Sequence, residues 1–209
     1  MTNAKLFDGH PVIRFDDERA RRNFLKWAGL IGVGATLAAA GRSRWASAQD
    51  DSGDVDILNY ALTLEHLEAD FYGRGGRVGL SRRQRSILEA IGEHERAHVE
   101  AITSTIEELG GKPGPKPDFK YPSGVFSNRG KFLDAAYELQ AWGVRAYHGQ
   151  VTFIKSKALL GAAASIAGVE SRHAAILADL TGRDPFPAPL ERPAGMGRVL
   201  EVVKPFIKN

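Results

Sequence analysis

The chain contains no cysteine. That excludes disulfides, thiolate metal sites and cysteine nucleophiles, so any metal must be held by His, Asp or Glu. Long apolar runs are missing as well. The hydrophobic stretch from Trp27 to Ala40 is about 14 residues, short of the ~20 that a membrane-spanning helix needs. Alternating β-branched segments, the mark of strands, are nearly absent. Apolar residues recur instead at steps of three and four, the period of amphipathic helices.

What stands before residue 49 has the organisation of a targeting segment. Arg21-Arg22 is followed by Phe24-Leu25-Lys26, then by the weakly apolar Gly/Ala-rich run, then by Ala46-Ser47-Ala48, an A-x-A cleavage site. The pattern resembles a twin-arginine export signal, although Ala20 stands where Ser or Thr commonly precedes the pair. Residues 1–48 are therefore expected to be removed, leaving a periplasmic or secreted protein. They carry eight of the 28 basic residues and four of the 25 acidic ones. The remainder holds 20 and 21, a net charge of −1, so the basic character of the whole chain belongs to the signal. Nucleic-acid binding loses its electrostatic support.

Four long helices are predicted in the mature chain: about Asp54 to Tyr72, Ser81 to Gly110, Gly130 to Lys155, and Leu159 to Leu180. Ser81 is a good N-cap, and Gly73, Gly110 and Gly182 mark helix ends. The first and third connections are short. The second, containing KPGPKPDFKYPSG, is long and rich in Pro and Gly. Short, long, short is the pattern of an all-α four-helix bundle with one crossover, the ferritin-like arrangement, here over residues 49–182. Residues 183–209 form a Pro-rich tail whose apolar end, MGRVLEVVKPFI, is expected to pack on the bundle.

The second helix contains His94-Glu95-Arg96-Ala97-His98, literally H-E-x-x-H, a zinc-protease signature. An internal repeat changes its meaning. Displaced by 75 residues, Glu95 falls on Glu170, His98 on His173, Ile91 on Ile166, Leu64 on Leu139, Tyr72 on Tyr147 and Glu65 on Gln140. The second copy reads VESRH, so E-x-x-H repeats and His94 does not. A zinc protease also needs a third protein ligand downstream, where this chain enters a Pro/Gly loop.

Glu65, Glu95, His98, Gln140, Glu170 and His173 all lie on the apolar stripes of their helices. Buried carboxylates lose several kcal/mol of solvation each and repel one another. Protonation or a bound cation relieves this. Three Glu and two His from four helices suit one or two divalent ions. Tyr72 and Tyr147 stand seven residues after Glu65 and Gln140, where they either bond to ligand carboxylates or pack as aromatics. Glu68, His66, His94 and His148 fall off the stripes and are expected at the surface. The Ser81–Arg85 charge cluster is expected to be a solvated face.

LNYALTLEHLEADFY (58–72), GVRAYHGQ (143–150) and AAASIAGVESRHAA (162–175) resemble the bacterial ferritin-like domain family that includes desiccation-related proteins. The resemblance covers nearly the whole mature chain. It implies a dinuclear iron or manganese centre and ferroxidase, oxidase or peroxide chemistry. By position, Glu65 would be a terminal ligand, Glu95 and Glu170 would bridge, and His98 and His173 would each bind one ion. The ligand from the third helix is normally Glu and here is Gln140, a neutral, weaker donor. Three expectations stay open: a metal-dependent oxidoreductase, a metal-binding protein without turnover, and a metal-free structural or stress-protective bundle. The expected partners are metal ions, the twin-arginine translocation machinery and a second copy in a homodimer.

Overall fold

The computed structural model describes residues 52–75 and 78–208. The expected export signal lies outside them. Among the described residues there are five α-helices: α1 (Ser52–Arg74), α2 (Arg82–Glu108), α3 (Arg129–Gln150), α4 (Lys157–Leu180) and α5 (Met196–Val203). No strand forms among them, and no helix is long and apolar enough to cross a membrane. The chain folds as a helical bundle in which α1 packs along α2 and α3 along α4. Contacts between α1 and α3, and between α2 and α4, close the two hairpins on each other.

Local chemistry explains the helix ends. Ser81 closes a full capping box: its hydroxyl accepts from the Gln84 N–H, and the Gln84 side chain accepts from the Ser81 N–H. Asn128 and Ser156 cap α3 and α4 through their side-chain oxygens. Helix α3 stops at Gln150 rather than continuing to Lys155. The N–H groups of Lys155 and Ser156 donate to the buried carboxylate of Asp54, at 2.9 and 3.0 Å. Those two donors are thus aimed at α1 rather than back along α3, which fixes the turn between α3 and α4. Capped by Ser156, α4 then starts at Lys157, two residues before the expected Leu159.

The long connection lies against the bundle. Phe119 is buried, the Tyr121 hydroxyl contacts the Leu67 carbonyl and Asp70, and the Asn59 side chain accepts from the Gly114 N–H at 2.6 Å. Phe71 stacks on Phe132 with ring centroids 4.8 Å apart. Beyond α4 the chain returns to this side. Val199 and Val203 of α5 join the core, and Phe119 bridges to Ile207. The returning tail passes very close to α3 at Gly149, where an added Cβ would meet the backbone of Ala194. Only glycine leaves room for that crossing and for the bond from the Ala194 N–H to the Arg145 carbonyl.

Candidate metal centre

Each helix of the bundle delivers polar side chains into an otherwise apolar interior. Glu65 comes from α1, Glu95 and His98 from α2, Gln140 from α3, and Glu170 and His173 from α4, all six buried. Glutamate and histidine three apart share one helix face, so α2 and α4 each present a pair.

His98 is the hub. Its Nδ1 lies 3.2 Å from Glu65 Oε2, 3.1 Å from Glu95 Oε2 and 3.2 Å from Glu170 Oε1. One ligand atom from each of Glu65, Glu95, His98 and Glu170 falls within 4.8 Å of the others. A second node joins Gln140 and His173. The Gln140 amide donates to Glu95 Oε1 at 2.7 Å, and its carbonyl accepts from His173 Nδ1 at 2.9 Å. The Tyr147 hydroxyl donates to Glu65 Oε1. Of the two uses open to this tyrosine, hydrogen bonding to a cluster carboxylate is the one realised. Tyr72, its repeat partner, sits beside Gln140, but its hydroxyl finds no hydrogen bond of good geometry.

Glu170 stands apart from the other carboxylates. It is fully buried, and neither oxygen has a hydrogen-bond partner. His98 is at ion-pair distance, but its Nδ1–H is taken up by Glu65 and Glu95. Buried polar atoms are normally satisfied, so two orphaned oxygens on one carboxylate need a reason.

The electrostatics follow from burial and crowding. Burial pushes the Glu65, Glu68 and Glu170 carboxyls up, with His98 opposing at Glu65, and neighbouring carboxylates raise Glu68 and Glu170 further. Glu95 goes the other way: burial would raise it, but hydrogen bonds from His173 and His98 outweigh that and hold it low. For His98, burial favours the neutral ring, and the Glu65 charge with the close Glu170, Glu65 and Glu95 carboxylates overcomes it. The Tyr147 phenol is pushed well up by burial and then by Glu65, so it remains a donor.

Two expectations are overturned. Glu68 is not at the surface: it is only 3 % exposed and feels the charges of Glu170, Glu95 and Glu65. His94 is half-buried, its ring stacked on His173 at 5.1 Å with Nδ1 2.9 Å from His173 Nε2. His66 and His148 are half-buried too, and neither contributes to the cluster. An apolar stripe one residue wide at each turn marks only a narrow part of the buried face. A helix enclosed by partners buries a wider arc, and residues three after Glu65 and one before Glu95 fall inside it.

Glu68 and Gly143 also border a pocket of about 310 Å³ with mainly apolar walls, including Leu64, Leu67, Trp142 and Val203. It lies between α1, α3 and α5 and reaches the cluster at Glu68.

Compared with known proteins, residues 53–183 match the ferritin-like domain family. No curated protein matches the chain.

Proposed function

The chain belongs to the ferritin-like domain family, and on that premise we propose that it binds a mono- or dinuclear iron or manganese centre and reacts with oxygen or peroxide. The observation that carries this is Glu170, a fully buried carboxylate with both oxygens unpartnered among other carboxylates and imidazoles. The donor set is all oxygen and nitrogen, which suits iron or manganese. Glu65, Glu95, His98 and Glu170 would hold one position, with His173 and Gln140 serving a second beside Glu95. Bound there, either metal would supply a one-electron couple.

The protein's own groups prepare the site. Tyr147 holds Glu65 by one oxygen and leaves the other toward His98. His94 contacts the outer nitrogen of His173 and so supports that ring's orientation. The pocket beside Glu68 offers an apolar path suited to dioxygen.

We further propose that residues 1–48 export the folded protein by the twin-arginine route, as Arg21-Arg22 and Ala46-Ser47-Ala48 suggest. Replacing both arginines by lysine should leave the precursor in the cytoplasmic fraction. Recovery of processed protein outside the cytoplasm would refute export by this route.

A second reading, a metal-free structural or stress-protective bundle of the desiccation-related kind, is favoured by Gln140. Its amide already bonds to both Glu95 and His173, so that side of the cluster is satisfied without an ion. Fe(II) oxidation tests the oxidase reading. The protein, added to Fe(II) in aerated buffer, should consume oxygen faster than buffer alone, and Glu95→Ala should abolish the difference. Equal rates for protein, variant and buffer would leave binding or structure as its role.

A further inference from the structure

Two divalent ions carry four positive charges. Glu65, Glu95 and Glu170 supply three negative ones, because Gln140 is neutral. In a buried site the residual charge is costly. A fourth carboxylate is present in the core, on a different helix. Glu68 follows Glu65 by three residues, as His98 follows Glu95 and His173 follows Glu170. All three i+3 side chains are buried.

The partner of Glu68 in the 75-residue repeat is Gly143 on α3. A Cβ at Gly143 would stand 3.1 Å from Glu68 Oε1 and 3.3 Å from Glu170 Oε2. The two carboxylates therefore share the space that the missing side chain leaves. Glu170, the neighbour of Glu68 in that space, is the carboxylate with both oxygens unpartnered. Compared with α1 in the repeat, α3 has no anion at 140 and no side chain at 143, and α1 carries an anion into the gap.

We propose that Glu68 is the fourth anionic metal ligand, compensating in charge for Gln140 and admitted by Gly143. This rests on the metal-binding function proposed above. It makes the α1 face E-x-x-E beside the two E-x-x-H faces, and it allows two divalent ions with no net charge in excess.

The test is Mn(II) binding to the protein and three variants, read as metal content after dialysis and as affinity by calorimetry. The parent should bind two ions per chain. Glu68→Gln, which preserves shape, should lose one ion or weaken the more weakly held ion by ~10-fold or more. Gly143→Ala, which crowds Glu68, should act in the same direction. Glu68→Gln combined with Gln140→Glu should restore two ions. A purely structural Glu68 would change the melting temperature of the metal-free protein and leave ion count and affinity alone; that result overturns the proposal. A parent that binds no Mn(II) or Fe(II) overturns the metal-binding function itself, and this assignment with it.

Discussion

Glu170→Leu should make the metal-free protein more stable, although it removes a residue from the centre of the fold. In the parent, this carboxylate is fully buried with both oxygens unpartnered. An unsatisfied buried polar group costs about 1–3 kcal/mol. Replacing buried ionic groups by apolar side chains of similar volume is commonly neutral or stabilising by about 1–4 kcal/mol. The loss of the 3.2 Å approach to His98 offsets part of this. A net gain of about 1–3 kcal/mol remains, which raises the melting temperature by about 2–12 °C for a chain of this size. The assay is thermal unfolding followed by circular dichroism, in EDTA and again with Mn(II). With metal the order should reverse: at a concentration 1,000-fold above Kd, a ligand bound only by the folded parent adds about 4.1 kcal/mol. A variant less stable than the parent by more than ~1 kcal/mol in EDTA would refute the reasoning. It would show that Glu170 holds the bundle together by itself.

The metal-free protein should also lose stability as pH rises. Glu65, Glu68 and Glu170 have carboxyls raised above their ordinary 4.5, and His98 is raised above 6.5. The folded state holds protons there that the unfolded chain releases, so stability falls with pH above about 4.5. Glu95, held low, loses its contribution only on further acidification. Melting in EDTA should therefore occur at a higher temperature at pH 5 than at pH 8; the opposite order would mean that these carboxylates are not crowded as described. Gly149→Ala should cost roughly 1–2 kcal/mol in urea unfolding, since the tail must move off α3 and the overpacking outweighs the ~1 kcal/mol gained from alanine in a helix; an unchanged midpoint would show that the tail does not pack there. Ala135→Phe, on the wall of the apolar pocket, should slow Fe(II) oxidation several-fold while leaving metal content unchanged. An unchanged rate would place the oxygen path elsewhere.

The bundle was legible because its signals are local and repeated. Helical spacing, Ser81, the Gly stops and the short-long-short connections each require only a few neighbouring residues. The internal repeat then singled out the side chains on Glu65, Glu95, His98, Gln140, Glu170 and His173 that meet in the core. What was not legible depended on neighbours distant in the chain. Glu68 reads as a surface residue until the empty position at Gly143, on another helix, is placed against it. The clue was in the repeat all the same: a Glu paired with a Gly, at the same i+3 step as the two histidines. Val169 stands opposite His94 in the repeat, yet the His94 ring lies against His173, a contact between α2 and α4 that no spacing within α2 reveals. The end of α3 is hidden from the local sequence for a similar reason, since Asp54, about a hundred residues earlier, draws the Lys155 and Ser156 N–H groups out of any continuing helix.

The most direct test of the metal centre is metal content per chain of the protein reconstituted anaerobically with Fe(II) or Mn(II), measured by mass spectrometry beside a Glu95→Ala/Glu170→Ala variant. The parent should retain one or two ions through dialysis, two if Glu68 is a ligand, and the folded variant none. A parent free of metal, alongside a variant at least as stable, would contradict the account and leave a helical bundle that keeps the ligand residues without the ions.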